Sequence, residues 1–579
     1  MANLEHKRHT LAHLLAAAVL EFYPDALTTI GPAIDNGFYY DIKFTSPISD
    51  KDLAKIEAKM KELLPTWTSF SHVEVSADKA KAKYTNNQFK LELVNEIADK
   101  GEVITLYTSG NFTDLCRGGH SDNPASDIAP DSFKLDRVAG AYWRGSEKNP
   151  TLTRIYGLAF DTKEELENCL LQREEAEKRD HRKLGKELDL FFIDDMVGKG
   201  LVMWLPNGNI MREEIEKLAK EKEAAGGYVR VTTPHIAREE LFLTSGHLPY
   251  YKDGMYPGME MDDATYYLRA MNCPHHHRIY VHKPHSYREL PLRIAEYGTV
   301  YRNELSGTLA GLLRVRGLAM NDAHIYCRKD QIKDEFKAVL SMIQDYFKIF
   351  NLSDYWFRLS KWDPNHLDKY VNQPDNWKYT EGVIREVLEE LGVPFKEADD
   401  EAAFYGPKVD VQFKSAIGRE ETMSTVQLDF IARERFGLTY TDSEGKENNE
   451  VFVIHRAPMS THERFMAFLI EHYGGAFPLW LSPVQVSVLP VSSAQEEYAE
   501  QVVKTLKEKD IRVELLSGND SLGKRIREAK VKKTPYFIVI GDKEKDSGNL
   551  TLEGRSGEKL ELSLEDLITK LETEIKVRV

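Results

Sequence analysis

Three residues of types that bind zinc stand far apart in the sequence. Cys273 occurs in MNCPHHHRIY, His324 in NDAHIYC and His455 in VFVIHRAP. One thiolate and two imidazoles suit zinc, and three protein ligands leave a fourth coordination position open for a substrate. Their spacing does not join them, because a single Cys or His beside a strand usually packs in a core. Three neighbouring histidines also compete as ligands, namely His275, His276 and His277.

A second set of candidate residues lies in the first part of the chain. His9 and His13 are four residues apart in an apolar segment, so they share one face of a predicted helix. Cys116 and His120, also four apart, occur in NFTDLCRGGH. The helical pair is not a zincin motif, since the Glu that must follow the first His is missing. A core helix with two hydrogen-bonded histidines is an alternative interpretation of this pair.

The elements that must position these residues differ along the chain. Residues 9–22 have a helical pattern that stops at Pro24, and two β-rich stretches follow with a charged helix between them. From about residue 189 strands dominate and helices are inserted among them. The last hundred residues alternate strand and helix. The pattern predicts an α+β multidomain chain that ends in a small α/β domain.

Length, charge and cysteine count limit the classes of protein. A chain of 579 residues is too long for one core, so three to four domains are expected. The net charge of -16 argues against a general nucleic-acid coat but leaves room for local basic patches. Four cysteines are too few for a disulfide scaffold. Because no signal peptide or membrane-spanning segment is evident, we expect a cytoplasmic enzyme.

Several long segments agree, in order, with one family over essentially the whole chain. LPLRIAEYGTVYRNELSGTLAGLLRVRGLAMNDAHIYC resembles motif 2 of class II aminoacyl-tRNA synthetases, in the form found in threonyl-tRNA synthetases. VFVIHRAPMSTHERFMAFLIEHYGG resembles their motif 3. VRVTTPHIAREELFLTSGH and MYPGMEMDDATYYLRAMNCP resemble their motif 1 region and zinc-ligand strand, and AAFYGPKVDVQFK and TVQLDF match as well.

The resemblance implies four successive parts. These are an α+β editing domain at 1–160, a helical linker at 161–188, a class II catalytic core with an antiparallel sheet at 189–480, and an α/β anticodon-binding domain at 481–579. The linker is dense in charge, which predicts an exposed helix with no function of its own. The motif 1 resemblance implies a homodimer. Many bacterial relatives begin with a small ubiquitin-like domain, which we expect to be absent here; the sequence leaves open whether that start is natural.

For the catalytic core the resemblance implies one zinc ion per chain, bound by Cys273, His324 and His455. Activation of threonine needs cations on the phosphates of ATP, which is expected to arrive with Mg²⁺. Arg302 and Arg464 occupy the motif 2 and motif 3 positions that grip the α- and γ-phosphates. Without the resemblance both would be taken for surface arginines. Further candidates around ATP are Glu304, Arg314 and Lys408.

Zinc also explains the choice of amino acid. An open zinc position can take the amino group and the hydroxyl of threonine, whereas valine would leave polar groups unpaired, a discrimination of about 10⁴ or more. Asp322, Tyr405 and Gln427 match the family positions that line this pocket. Some positions depart from the family pattern, which affects adenine stacking and threonine contact: Leu318 for an aromatic residue, Met320 and Asn321 for Gln and Asp, Ser424 for Gly, and HHH after MNCP for Gly-His.

Serine keeps the hydroxyl and lacks one methyl, which is worth only about 10–200-fold, so a second hydrolytic site is expected. The set HxxxH and CxxxH resembles the editing domain that threonyl- and alanyl-tRNA synthetases share. This implies that His9, His13, Cys116 and His120 hydrolyse seryl-tRNA(Thr). Tyr40, Lys90 and Asp114 match further positions of that pocket. The ligand set would permit zinc, although the threonyl family is thought to edit without it.

The last domain resembles the anticodon-binding domain of the synthetases for threonine, proline, histidine and glycine. A cluster of basic residues in one of its helices favours tRNA contact over a merely solvated face: Lys524, Arg525, Arg527, Lys530, Lys532 and Lys533. Arg527 and Arg555 are the expected base or phosphate contacts.

Two other functions compete with this interpretation. The first is another class II synthetase, such as the prolyl or seryl enzyme. The second is a tRNA-binding protein or free-standing deacylase with an inactive synthetase domain, against which Arg302, Glu304 and Arg464 argue.

Overall fold

Two compact units make up the computed structural model, one over Met1–Glu174 and one over Glu175–Val579. The structure describes residues 3–415, 420–517 and 520–578. The division lies inside the predicted linker at 161–188. Across these described residues, no helix combines the length and hydropathy needed to cross a membrane.

In the first unit a long helix packs against antiparallel sheet. The Asn3 side chain accepts a hydrogen bond from the Glu5 amide and so begins this helix, whose buried face includes Leu11, Leu14 and Leu15. The helices are α1 (Leu4–Phe22), α2 (Leu53–Leu63), α3 (Ala77–Lys83), α4 (Gln88–Asp99), α5 (Pro124–Asp127) and α6 (Lys163–Arg179), of which α6 contains the boundary between the units. The strands are β1 (Leu27–Thr28), β2 (Ala33–Ile34), β3 (Gly37–Lys43), β4 (Ser71–Val75), β5 (Ile104–Ser109), β6 (Phe112–Leu115), β7 (Phe133–Tyr142) and β8 (Thr151–Ala159).

The first unit has two sheets, one ordered β1-β3-β8-β7 with β2 on β3, the other β4-β5-β6. Helix α1 covers the first of these sheets. The turn after β6 brings residues 116–120 to the same helix, because the Ser121 amide donates to the Thr10 hydroxyl at 3.0 Å.

The second unit contains the rest of the elements. Its helices are α7 (His181–Glu187), α8 (Pro206–Ala225), α9 (Glu239–Ser245), α10 (His247–Tyr250), α11 (Cys273–Tyr280), α12 (Ile332–Ile349), α13 (Pro374–Glu390), α14 (Ala432–Phe436), α15 (His462–Tyr473), α16 (Glu496–Lys507), α17 (Leu522–Val531), α18 (Asp542–Ser547) and α19 (Leu564–Val577). Its strands are β9 (Phe191–Ile193), β10 (Val202–Trp204), β11 (Val229–Arg230), β12 (Ile236–Arg238), β13 (Met259–Glu260), β14 (Thr265–Leu268), β15 (Leu292–Tyr301), β16 (Gly317–Arg328), β17 (Tyr355–Ser360), β18 (Phe395–Ala398), β19 (Lys408–Lys414), β20 (Glu420–Asp429), β21 (Tyr440–Thr441), β22 (Glu447–Asn448), β23 (Val451–Ala457), β24 (Val486–Pro490), β25 (Val513–Leu515), β26 (Tyr536–Ile540), β27 (Asn549–Gly554) and β28 (Lys559–Ser563).

An eight-stranded sheet, ordered β11-β15-β16-β23-β20-β19-β17-β18, forms the centre of this unit. Its five inner pairings, from β15 to β17, are antiparallel. The predicted α+β class with an antiparallel catalytic sheet is therefore confirmed. Since cross-strand partners point to one face, the register aligns one row of side chains. That row runs His324, His455, Gln427, Lys408.

The C-terminal part folds around a five-stranded sheet ordered β25-β24-β26-β27-β28. The predicted alternation of strand and helix is confirmed for β24 to β26. The hairpin β27–β28 was not predicted, although leucine alternates with polar residues on both of its strands. Arg512 binds Glu214 at 2.6 Å, which joins this part to helix α8.

The predicted linker helix is two helices with different surroundings. Helix α6 ends at Arg179, and Asp180 caps a second helix by accepting from the Arg182 amide at 2.7 Å. The prediction of an exposed helix is wrong for α7, which buries His181 and Leu184. The dense charge of the segment concealed these two residues.

Candidate functional site

Cys273, His324 and His455 come together on one face of the central sheet, and we call them the core cluster. His324 on β16 and His455 on β23 are direct cross-strand partners, and Cys273 is the first residue of α11. One ligand atom from each lies within 4.8 Å of the others. All three side chains are buried.

A chain of hydrogen bonds fixes the ring of His324. Its Nδ1 lies 2.8 Å from Nδ1 of His276, whose Nε2 lies 3.1 Å from the Glu296 carboxylate. Burial would raise the pKa of Glu296, but hydrogen bonds from His276 and Thr233 lower it to about 2. The Nε2 of His324 is buried and has no hydrogen-bond partner in the described part of the chain. That nitrogen is left available for a metal.

His455 has its own carboxylate partner. Its Nε2 lies 3.1 Å from Asp429, whose other oxygen accepts from the amides of Ile431 at 2.7 Å and Ala432 at 2.9 Å. The Nδ1 of His455 is then the nitrogen that can bind a metal. His277 also lies within 4.8 Å of Asp429 and His455, so this competing histidine stays close to the core cluster.

Burial also acts on the thiol of the core cluster. It raises the pKa of Cys273 well above its usual range, and the carboxylates of Asp322 and Asp429 raise it further. A thiolate there needs a cation beside it.

The predicted amino-acid pocket lies at the core cluster. A cavity of about 140 Å³ is lined by all three cluster residues and by Asp322, Tyr405, Gln427 and Arg302. Asp322 accepts from the Asn272 amide group at 3.2 Å, and the Tyr405 hydroxyl donates to Gln427. Burial raises the pKa of Asp322.

Of the predicted ATP residues, Arg302 lines this cavity. Arg464 at the start of α15 donates from Nε to the Leu313 carbonyl at 3.2 Å. Arg314 and Glu304 bind each other at 2.7 Å. Lys408 lies one row position from Gln427 and binds the Asp410 carboxylate at 2.9 Å.

Two departures from the family pattern have a structural explanation. Asn321 donates from Nδ2 to the fully buried Glu223 at 2.7 Å and accepts from Arg456 at 3.2 Å. An Asp could not donate to Glu223, so this carboxylate explains the Asn; α8 gave no signal of it in sequence. Leu318 is buried and packs with Val300.

Two further departures contact other residues. Met320 lies with its sulfur 3.9 Å from the Arg302 guanidinium. The Ser424 hydroxyl donates to the Pro458 carbonyl.

The first unit brings together His9, His13, Cys116 and His120, which we call the N-terminal cluster. Their ligand atoms lie within 4.8 Å of one another. Cys116 Sγ is 3.6 Å from His9 Nε2 and 3.3 Å from His120 Nε2. His9 and His13 are 3.2 Å apart through their Nε2 atoms.

A buried ion pair lies beside the N-terminal cluster. Lys90 binds Asp114 at 2.6 Å, and the Tyr40 hydroxyl donates to the same carboxylate at 2.5 Å. Burial would raise the pKa of Asp114, but Lys90 and His13 hold it below its usual range. Burial lowers the pKa of His13 to about 3, and raises that of the Cys116 thiol to about 11. These groups line a cavity of about 380 Å³.

Comparison with known proteins identifies the family. Residues 258–473 match “tRNA synthetase class II core domain (G, H, P, S and T)”, and residues 485–574 match “Anticodon binding domain”. The chain is 51% identical to the threonine--tRNA ligase of Anoxybacillus flavithermus (strain DSM 21510 / WK1) over 93% of this chain and 84% of that one. It is 48% identical to threonine--tRNA ligase 1 of Bacillus subtilis (strain 168), over 99% and 89% respectively. The chain belongs to the threonine--tRNA ligase family.

A solved structure agrees with this family assignment. It is the RNA binding domain of threonyl-tRNA synthetase from Cryptosporidium parvum Iowa II, 34% identical with a TM-score of 0.65 over 68% of this chain and 98% of that one. The enzyme is thus a class II aminoacyl-tRNA synthetase of the threonine family. The prolyl and seryl alternatives, and the inactive RNA-binding protein, are set aside.

The C-terminal basic cluster of the enzyme is less uniform than the sequence indicates. Arg525 is buried and donates to the carbonyls of Pro490 at 2.7 Å and Leu516 at 2.8 Å, so it supports the fold. Arg527 is exposed. Arg555 donates to the Phe477 carbonyl at 2.8 Å beside a cavity that also includes Tyr536.

Proposed function

We propose that this threonine--tRNA ligase forms threonyl-adenylate from threonine and ATP and transfers the threonyl group to tRNA(Thr). We further propose that it selects threonine with one zinc ion per chain and hydrolyses seryl-tRNA(Thr) at the N-terminal cluster. The observation that carries the zinc proposal is the buried Nε2 of His324, which has no hydrogen-bond partner among the described residues and belongs to a side chain grouped with Cys273 and His455.

The residues of the core cluster fit zinc. One sulfur and two nitrogens are a common zinc donor set, and both histidines have carboxylate-linked second partners through Glu296 and Asp429. A zinc ion bound here would offer an open position, as a Lewis acid, to the amino group and hydroxyl of threonine.

The residues of the pocket would recognise the side-chain hydroxyl of threonine. Asp322 can accept its proton, since the carboxylate faces the same cavity as the core cluster. Valine would leave this buried oxygen unpaired, which costs a factor of about 10⁴ or more. The Tyr405–Gln427 pair closes the same wall and would orient the amino acid.

Arg302 and Arg464 would stabilise the adenylate-forming step as catalytic residues. The carboxylate of threonine attacks the α-phosphorus, and pyrophosphate leaves. Arg302, which lines the threonine cavity, would neutralise charge at the α-phosphate, and Arg464 would bind the departing γ-phosphate. Glu304, Arg314 and Lys408 would complete the ATP site, with Mg²⁺ on the phosphates.

Hydrolysis of the seryl ester would use the neutral groups of the N-terminal cluster. Low pKa values keep the imidazoles of His13 and His120 uncharged at neutral pH, so each can accept a hydrogen bond from a water molecule and position it at the ester. The Lys90–Asp114 pair would fix the polar wall of the cavity and support the developing oxyanion. The expected reaction needs no metal.

We also propose a homodimer and a tRNA-binding C-terminal domain at 481–579. The hairpin β9–β10 exposes apolar side chains that a second copy could cover, including Phe192, Met203 and, between the strands, Met196, which is 98% exposed. Arg527 and Arg555 would contact tRNA(Thr).

A pyrophosphate-exchange assay across amino acids tests the main proposal. Exchange should be driven best by threonine, far less by serine and hardly by valine. Exchange driven best by proline or serine would refute it.

A further inference from the structure

His181 connects three elements of the second unit through its two ring nitrogens. It begins helix α7 and is buried. Its Nδ1 lies 2.7 Å from the Glu471 carboxylate on α15, and its Nε2 lies 3.1 Å from the Leu312 amide. Glu471 is itself buried.

These two contacts define the proton on the ring. The Leu312 amide can only donate, so Nε2 of His181 accepts and Nδ1 carries the proton. Nδ1 then donates to Glu471, and the carboxylate holds the ring in this tautomer. The imidazole is thus an oriented acceptor for a loop amide.

The loop that His181 contacts runs over residues 302–316 and carries Arg302, Glu304 and Arg314. Gly311 has φ +54°, and a Cβ there would lie 2.2 Å from Nε2 of His181. Only glycine suits this close, left-handed turn.

Helix α15 holds the same turn of the loop from a second point. Arg464 donates to the Leu313 carbonyl at 3.2 Å, next to the residue that His181 binds. Arg464 and Glu471 lie two helical turns apart on one face of α15. Helix α15 therefore fixes the tip of the loop in two ways, directly through Arg464 and indirectly through Glu471 and His181.

We propose that His181 is a positioning residue for ATP: it holds the 302–316 loop in its binding conformation before ATP arrives. A loop already in place binds without the entropic cost of ordering. The inference rests on the proposed ATP role of Arg314 and Arg464.

The test measures pyrophosphate exchange and hydrogen exchange on His181→Phe in the full chain. The KM for ATP should rise about fivefold to tenfold, the effect of losing one buried hydrogen bond. The KM for threonine should stay within about twofold, because Asp322 and Gln427 are untouched. The Leu312 amide should lose protection from exchange. The conservative single variant Glu471→Gln keeps an acceptor for Nδ1–H of His181 and should retain most of the ATP affinity.

A glycine pair in the same loop provides a matched control. Gly311→Ala should raise the KM for ATP. Added to His181→Ala, the same substitution should raise the KM less, because the ring that the new methyl meets is absent. At Gly307 a Cβ meets no described atom within 4 Å, so Gly307→Ala should leave the KM unchanged. This pair keeps the test decisive if His181→Phe folds poorly.

Three outcomes would overturn the inference. One is unchanged protection of Leu312 in His181→Phe. Another is a fall in active fraction with both KM values unchanged, the mark of a merely structural residue. The third is lost protection with an unchanged KM for ATP. In that case Arg314→Ala separates the causes: if it raises the KM for ATP, the ATP site stands and only the role of His181 fails.

Discussion

The core cluster and the N-terminal cluster contain the same residue types but differ in what supports the imidazoles. In the core cluster, Asp429 lies 3.1 Å from His455, and Glu296 supports His324 through His276. In the N-terminal cluster, Nδ1 of His9 faces the Gly119 carbonyl at 3.2 Å. The nearby Asp114 binds Lys90 and Tyr40 instead and is 3.6 Å from His13.

This difference assigns different chemistry to similar sets of side chains. Carboxylates behind imidazoles increase their basicity and orient them for a cation. Imidazoles that burial keeps neutral, beside an ion pair that is already balanced, suit hydrogen bonding to a water molecule that attacks an ester. The residues that contact the imidazoles from outside each cluster therefore distinguish the proposed zinc site from the proposed hydrolytic site.

Removal of a core ligand should have the largest effect. Cys273→Ala should deplete zinc and lower threonine activation by more than about 100-fold. Loss of a residue that only hydrogen-bonds to a metal ligand costs less, about 10–100-fold. Metal analysis and pyrophosphate exchange measure both. Cys327→Ala, a buried cysteine on β16 outside the core cluster, is the control and should keep its zinc. Undiminished zinc in Cys273→Ala would remove the basis of the comparison.

The N-terminal cluster should affect fidelity alone. His9→Ala with Cys116→Ala should leave threonine activation intact and let Ser-tRNA(Thr) accumulate, because the one methyl that separates threonine from serine limits discrimination at the core cluster to about 10–200-fold. Accumulated Ser-tRNA measures this. The exposed His72→Ala is the control. Unchanged Ser-tRNA in the double variant would show that editing, if present, occurs elsewhere.

The carboxylate behind His455 should tune metal affinity. Asp429→Asn should weaken zinc binding about 10–100-fold while leaving the three ligands in place. Competition with a chelator measures the affinity. Glu289→Gln, which alters another carboxylate–histidine pair at 3.1 Å, should not change it. Equal zinc affinities of Asp429→Asn and the unmodified enzyme would mean that carboxylate support does not distinguish the two clusters.

Acid should weaken the first unit by a smaller amount. The pKa values of His13 and His120 are lowered to about 3 and about 2, mainly by burial. Such groups contribute stability above their unfolded pKa near 6.5, which is lost as pH falls below it. At about pH 5.5 each would cost about 1.4 kcal/mol. The protection factors of the α1 amides, which correct for the intrinsic pH dependence of hydrogen exchange, should therefore fall between about pH 7.5 and 5.5. His13→Gln should reduce this dependence, and exchange without such a pH dependence would contradict it.

Much of this organisation could be predicted from local sequence pattern, and the rest depends on contacts between distant residues. The helix carrying His9 and His13 and most strands of the central sheet follow from periodicity. The pairing of His324 with His455 does not, because register between strands 131 residues apart in sequence (455 minus 324) leaves no periodic trace.

Buried partners were also missed for physical reasons. Glu223 and His181 lie in segments dense with charge, where an exposed residue is the usual expectation. Arg525 falls in a basic run yet is buried under backbone carbonyls. Only tertiary packing separates such residues from their exposed neighbours.

The core cluster is proposed to recognise the hydroxyl of threonine, and the N-terminal cluster to remove serine, which carries the same hydroxyl. The most direct test is kcat/KM in pyrophosphate exchange for threonine, serine and valine on the zinc-loaded enzyme. We predict valine about 10⁴-fold or more below threonine, and serine only about 10–200-fold below it. Valine activated as well as serine, or serine rejected as strongly as valine, would contradict the account.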